Sequence, residues 1–198
     1  MIALIRSAGW IAALTILFLA AADVANAQKR GKFKPLDVPF AGTPPAGVAL
    51  MLRMANVGPD DIVYDLGSGD GRIVIAAVRD FVAKAGIGID PKRALQGALN
   101  ARKAGVEEKT TFIVDDIFRA DFREATVLTL FMSHRINREL RPRMNALLKP
   151  GSRVVTFRFP VMGWTPTQIE TIEGDEVFLY VLPTRPDRVR VKAVSPAA

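Results

Sequence analysis

"YDLGSGDGRIVIAAV", Tyr64 to Val78, sets three glycines at alternate positions between an apolar strand-like run and a helix-like run. Glycine reaches positive φ without a steric penalty and lets a ligand approach the main chain, so Gly67, Gly69 and Gly71 mark a tight turn, a close contact, or both. No Gly-Lys-Ser/Thr ending follows, so the lysine and hydroxyl that a triphosphate and its magnesium need are missing. The third glycine also comes one residue early for G-x-G-x-x-G, and a pyrophosphate is therefore not the expected ligand. Asp65 closes the strand, where a carboxylate repels phosphate and attracts a cation. The loop is expected to hold a ligand carrying an ammonium.

The surrounding periodicity supplies the architecture. Thr43-Pro44-Pro45 reads as an N-cap with prolines in the first turn of a helix running to about Ala55, stopped by Gly58-Pro59. "IVYDL" reads as a buried strand, Gly71 to Lys84 as a helix, "AGIGID" as a second strand, Pro91 to Lys103 as a helix, and "TTFIV" as a third strand. "ATVLTLF" is a fourth, followed by a helical stretch to Leu148 in which Pro142 marks a break or a fresh start. "SRVVTFRF" makes a fifth, and "QIETI" with "VFLYVLP" a strand pair with no room for a helix between. Strands alternating with helices in this way predict a Rossmann-like, doubly wound, mostly parallel sheet with an antiparallel C-terminal strand pair and a reduced helix set. Ligands of such sheets lie beyond the carboxyl ends of the strands, which singles out Asp65 with the glycines, Asp90, Asp115-Asp116, Phe131 to His134, and Phe157 to Trp164.

In this order the chain resembles the class I S-adenosylmethionine-dependent methyltransferases over most of Thr43 to Pro183. "VYDLGSGDGRIVI" is similar to their first motif, and the resemblance implies that Gly67, Ser68, Gly69 and Gly71 lie along the methionine part of the cofactor while Asp65 helps hold its ammonium. It implies an acidic residue on the ribose hydroxyls at the end of the second strand. Asp90 is the preferred position; an alignment on Pro91 would place it at Gly88 instead. "FIVDDIF" resembles the third-strand motif, giving Asp116 to the adenine amino group and Ile117 to its ring. Each acid also has a plainer reading: Asp90 as a cap of the helix begun by Pro91, and Asp115 or Asp116 as a cap of a short helix after the third strand.

"DVPFAGTPPAGVALML", "LTLFMSHRINRELRPRMNALLKPGSRVVTFRF" and "MGWTP" resemble a narrower branch of small bacterial methyltransferases with hydrophobic N-termini, related to mitochondrial protein-lysine methyltransferases that modify inner-membrane proteins. That likeness implies that Phe40 and Thr43 lie over the cofactor and that Phe131, Met132, Ser133, His134 and Arg135 border the acceptor pocket. The chain departs from the branch at Ser133-His134-Arg135, where relatives often carry a leucine, a proline and an acidic residue. An incoming ammonium would there meet Arg135 rather than an acid. His134, the single histidine of the chain, is the candidate general base, or else only caps the helix it begins.

Composition bounds the rest. The chain has 198 residues, no cysteine, and a net charge of +7. Disulfides and thiolate metal sites are excluded, and one histidine among scattered carboxylates gives no expected metal site. Residues 1–27 have the form of a secretory signal peptide: Arg6, an apolar run from Ala8 to Ala22, and Ala25-Asn26-Ala27 before Gln28. Export to the bacterial periplasm is the expectation. The alternative is an uncleaved membrane anchor, whose flanking Lys29, Arg30, Lys32 and Lys34 would keep the domain on the cytoplasmic side. Residues 28–42 read as an extended linker, 43–183 as the methyltransferase domain, and 184–198 as a basic tail containing Arg185, Arg188, Arg190 and Lys192. Without interleaved aromatics, this positive charge favours a solvated basic face over nucleic acid. The leading functional expectation is methylation of a protein side chain such as lysine, on a substrate associated with a membrane. Methylation of RNA, lipid or a small molecule is the second, and a non-catalytic cofactor-binding or scaffolding module of the envelope the third.

Overall fold

Continuous apolar runs, rather than alternating ones, mark strands buried on both faces. The central strands obey this: β1 (Ile62–Leu66) and β4 (Val127–Leu130) have all but one residue buried. The computed structural model describes residues 41–182. The expected signal segment, Phe40 and most of the linker, Pro183 and the basic tail lie outside the described residues. Seven strands form one sheet in the order β3-β2-β1-β4-β5-β7-β6, with β2 (Ala85–Ile89), β3 (Thr110–Ile113), β5 (Arg153–Phe157), β6 (Gln168–Ile172) and β7 (Asp175–Val181). Strands β1 to β5 pair in parallel, while β7 runs antiparallel to both β5 and β6. The β6–β7 hairpin turns on Glu173 and Gly174, both at positive φ, as a tight two-residue turn matched to strand twist requires.

Alternate strand residues feed two cores. Val63, Val127, Val155 and Val177 pack with helices α1 (Pro45–Met54) and α2 (Arg72–Arg79). Leu66, Leu128, Leu130 and Val154 face the other way, onto Ile136, Leu140 and Met144 of α4 (His134–Leu147). Helix α3 (Ala94–Lys103) lies against β2 and β3 beside α2. No helix joins β3 to β4; buried Ile117, Ala120, Phe122 and Ala125 of that connection join the α4 core instead. This is the reduced helix set of the sequence reading, with the helix replaced by apolar loop residues.

Three local expectations change. Pro44, not Thr43, is the N-cap residue of α1, and no side chain caps it; Thr43 is buried and its carbonyl is used elsewhere. Pro142 neither breaks nor restarts α4, which runs through it. The ring is exposed, as is Arg138 four residues earlier, so the carbonyl left without a donor can be hydrated while buried Leu140 and Met144 hold both halves to the sheet. Helices α2 and α3 are shorter than expected, because Asp80 ends the first and residues 91–93 form a turn before the second.

The end of the sheet opposite the glycine loop is tied by Asp61. Its carboxylate accepts from Thr126 Oγ1 at 2.7 Å and from the Gly58 amide at 2.9 Å, and it pairs with Arg153, which also donates to the Ala55 carbonyl. Asp61→Ala leaves the half-buried guanidinium without a counter-charge, an effect of about 3 kcal/mol. For a chain of this size thermal unfolding is expected to drop by about 10 °C, checked by calorimetry, with cofactor affinity of the folded protein unchanged.

Candidate functional site

The parallel order reverses direction between β1 and β4, and a cavity opens at the carboxyl ends of these strands and of β2. It is lined by Asp65 near the end of β1, Gly67, Ser68 and Asp70 after it, Asp90 to Arg93 after β2, Phe131 and Met132 after β4, Arg72 and Ile73 of α2, and Ala41 to Thr43. Gly67, Gly69 and Gly71 have φ of +78°, +54° and +82°, so all three alternate glycines occupy left-handed backbone. The amides of Gly67 and Ser68 donate to the Ile89 carbonyl, and that of Gly69 to Asp90 Oδ2 at 3.1 Å. The loop is thereby sewn to the end of β2. Gly67 also lies directly under Met132: a Cβ there would fall 1.7 Å from that side chain's flexible end, Cε.

Asp65 is the chemical centre of the cavity. It is 3% exposed, and Thr129 Oγ1 donates to its Oδ1 at 2.8 Å. Burial, aided by the nearby charges of Asp90 and Asp70 and opposed by the Thr129 hydroxyl, pushes its carboxyl up to about 7. A cationic group entering the cavity would reverse that shift by giving the carboxylate a partner.

Asp90 Oδ1 accepts the amides of Lys92 and Arg93 at 2.8 and 2.7 Å, so this side chain does cap the turn into α3. With Gly69 on Oδ2, three of about four acceptor positions are filled, and the residue lines the cavity with one left for a ligand hydroxyl. Gly88 lies behind: a Cβ on it would meet the Phe112 ring at 2.6 Å and Ser68 Oγ at 2.7 Å. Of the two positions the sequence left open for the acid on the ribose, Asp90 is the one at the cavity. Ser68 lines the cavity too, and its buried Oγ has no hydrogen-bond partner.

Asp116 and Ile117 do not line this cavity. Asp116 Oδ1 accepts the Phe118 amide at 2.9 Å in a turn that does not become a helix, and Ile117 is fully buried in the α4 core. Ser133 caps α4, its Oγ accepting from Ile136 at 3.4 Å. His134 and Arg135 are exposed at the start of that helix, and Arg135 lies 4.0 Å from Glu139. The His134 ring meets Phe159 edge-on at 5.1 Å, and Phe159 stacks with Phe131 at 6.2 Å, so an aromatic wall runs from the cavity to His134. Buried Asn137 fixes that wall by donating to the Phe159 carbonyl at 2.7 Å.

Sequence reasoning missed Asp70, Arg72 and the Pro91-Lys92-Arg93 turn as cavity residues. The first two stood inside the quoted glycine motif, where a charged pair between glycines was the available signal. Among the described residues no cluster of metal-ligating side chains occurs.

The donor set fits the nucleoside-and-amino-acid cofactor implied by the resemblance. A buried acid lacks a cationic partner, a buried hydroxyl lacks any partner, and the glycine loop leaves no Cβ in the way.

Comparisons with known proteins agree. Residues 65–168 match the ANTKMT methyltransferase domain family. A protein-lysine N-methyltransferase of Saccharolobus islandicus is 40% identical over 73% of this chain and 94% of its own length. An adenine nucleotide translocase lysine N-methyltransferase of Mus musculus is 31% identical over 73% of this chain and 63% of that protein. Among solved structures, an RNA methyltransferase from Salinibacter ruber in complex with S-adenosylhomocysteine superposes with a TM-score of 0.70 at 41% identity, covering 72% of this chain and 94% of that one.

Proposed function

The chain belongs to the ANTKMT methyltransferase domain family, and on that footing we propose that it methylates lysine side chains of a protein associated with a membrane. It is an S-adenosylmethionine-dependent methyltransferase. The observation that carries the lysine reading is the 40% identity to the Saccharolobus lysine N-methyltransferase along 94% of that protein. The mouse relative acts, as its name gives it, on a translocase, and this supports the membrane association.

Bound S-adenosylmethionine supplies a methyl group on a sulfonium sulfur, open to in-line displacement by an amine. Asp65 would hold the cofactor's ammonium and Asp90 one ribose hydroxyl, with the glycine loop beside them in the same cavity. Phe131, Met132 and Phe159 form the apolar side toward the acceptor and exclude water there. His134, exposed at the outer end of that wall, is the side chain that would take the proton a lysine ammonium loses on its way to the cavity. His134→Gln is expected to lower kcat about tenfold with S-adenosylhomocysteine affinity unchanged; an unaltered kcat counts against the base.

The Salinibacter neighbour favours RNA as a second reading. Labelled methyl donor incubated with protein and cell extract separates the two: label that resists ribonuclease, is lost with protease, and elutes as methyl-lysine after hydrolysis supports the first. Label removed by ribonuclease supports the second.

For residues 1–27 we propose export, with the uncleaved anchor as the alternative. An intact mass beginning at Gln28 supports cleavage, and one retaining Met1 supports the anchor.

A further inference from the structure

We propose that Arg72 is a positioning residue for cofactor binding: it clasps the extended segment Ala41–Thr43 against the glycine loop and so holds one wall of the cofactor cavity. The inference rests on the cavity being the cofactor site.

Arg72 opens α2 directly after Gly71, the last glycine of the loop. Its guanidinium forks onto Asp70, Nε to Oδ1 at 3.0 Å and Nη2 to Oδ2 at 2.6 Å, while Nη1 donates to the Thr43 carbonyl at 2.9 Å. Asp70 is itself held from the other side, because Asn100 of α3 donates to its carbonyl oxygen at 2.9 Å. One planar group thus joins the glycine loop, which Asn100 ties to α3, to the segment preceding α1. Both the segment and the loop line the cavity, Ala41, Gly42 and Thr43 on one side and Gly67, Ser68 and Asp70 on the other.

The fit is close enough to constrain the sequence. A Cβ on Gly42 would lie 2.5 Å from Arg72 Cζ and 2.6 Å from each Nη. The guanidinium is the far end of a flexible side chain, so a methyl group at position 42 can push it aside at small cost in stability, but only by breaking the bond to Thr43. A lysine at position 72 offers a point charge without the planar fork and cannot serve Asp70 and Thr43 together. No regular secondary structure anchors residues 41–43, so the clasp, together with the burial of Thr43, holds them to the loop.

The test uses the full chain and S-adenosylhomocysteine. Backbone order parameters of Gly42 and Thr43 are measured by NMR in the unliganded protein, and the ligand's dissociation rate by stopped flow. In the native protein these amides are expected near the rigid value of about 0.85; in Arg72→Gln and Arg72→Lys they should fall below about 0.6. Dissociation should accelerate about tenfold or more, with the order parameters of Ala76 to Val78 in α2 unchanged. Gly42→Ala alone should reproduce both effects, which keeps the test decisive if an Arg72 variant folds poorly. Added to Arg72→Gln it should change dissociation less than about twofold, since the clasp is already gone.

Unchanged order parameters with faster dissociation would overturn the clasp in favour of direct contact between Arg72 and the cofactor. A full additional effect of Gly42→Ala on top of Arg72→Gln would overturn it as well. Failure of the native protein to bind S-adenosylhomocysteine at all would overturn the cofactor site, and the clasp with it.

Discussion

Asp65→Ala is expected to weaken S-adenosylhomocysteine binding at pH 8 by about 30-fold or more, because truncating one partner of a buried charge pair costs about 2–5 kcal/mol. Titration calorimetry of the native and variant proteins reads this directly, and affinities within threefold of one another would remove Asp65 from the site. The pH dependence is part of the same expectation. The Asp65 carboxyl titrates at about 7 in the folded protein against 3.8 as its ordinary value, chiefly through burial. Between those values the folded chain holds a proton that the unfolded chain has released. This group's contribution to stability is therefore present at pH 4 and lost as pH rises toward 7, the reverse of a salt-bridged acid. Ligand binding runs the other way. The ammonium pairs with the ionised carboxylate, so affinity should fall about tenfold per pH unit below 7 and level off above it. Binding near pH 6 should release a proton, seen as an observed enthalpy that varies with the ionisation enthalpy of the buffer. Asp65→Asn should flatten both dependences, and a native affinity constant from pH 5.5 to 8.5 would show that the ligand's charge is held elsewhere.

Gly97→Leu is expected to destabilise the fold by about 3 kcal/mol, near the upper end for overpacking a well-filled core. The Phe112 ring of β3 lies over three glycines that are distant in sequence. A Cβ would meet that ring at 2.6 Å from Gly71, 2.6 Å from Gly88 and 2.4 Å from Gly97. An aromatic ring cannot yield as a methionine methyl can, so a leucine must drive Phe112 off the back of the glycine loop. Thermal unfolding should fall by about 10 °C, and S-adenosylhomocysteine affinity should fall with it because Gly71 loses its support. Pairing Gly97→Leu with Phe112→Ala should recover part of the loss. Equal destabilisation with and without Phe112 would mean the ring is not the obstacle.

These two effects mark different depths of legibility. The sheet was readable because its central strands are short continuous apolar runs separated by helix-length polar stretches, and that pattern has few solutions other than a doubly wound sheet. Asp65 and the alternate glycines were readable because they are contiguous, and a strand running into such a turn has one place to put its last carboxylate. The likeness to methyltransferases rested on the same local order of strand ends. Pro142 misled because a proline's penalty depends on whether the orphaned carbonyl faces water, which only the packing of α4 decides. Thr43 misled because a hydroxyl beside two prolines has the form of a cap whether or not the chain turns it toward the helix.

By itself the sequence determined the order of elements and the strand-end loop with its carboxylate, since these depend on residues close together in the chain. Only the tertiary structure set Asp90 rather than Gly88 on the cavity, laid Phe112 over its three glycines, joined Phe131 through Phe159 to His134, and brought Thr43 to Arg72. Each of those depends on contacts between residues far apart in the chain. Such contacts follow from the sheet's order and register, which place remote residues side by side and carry no local periodicity.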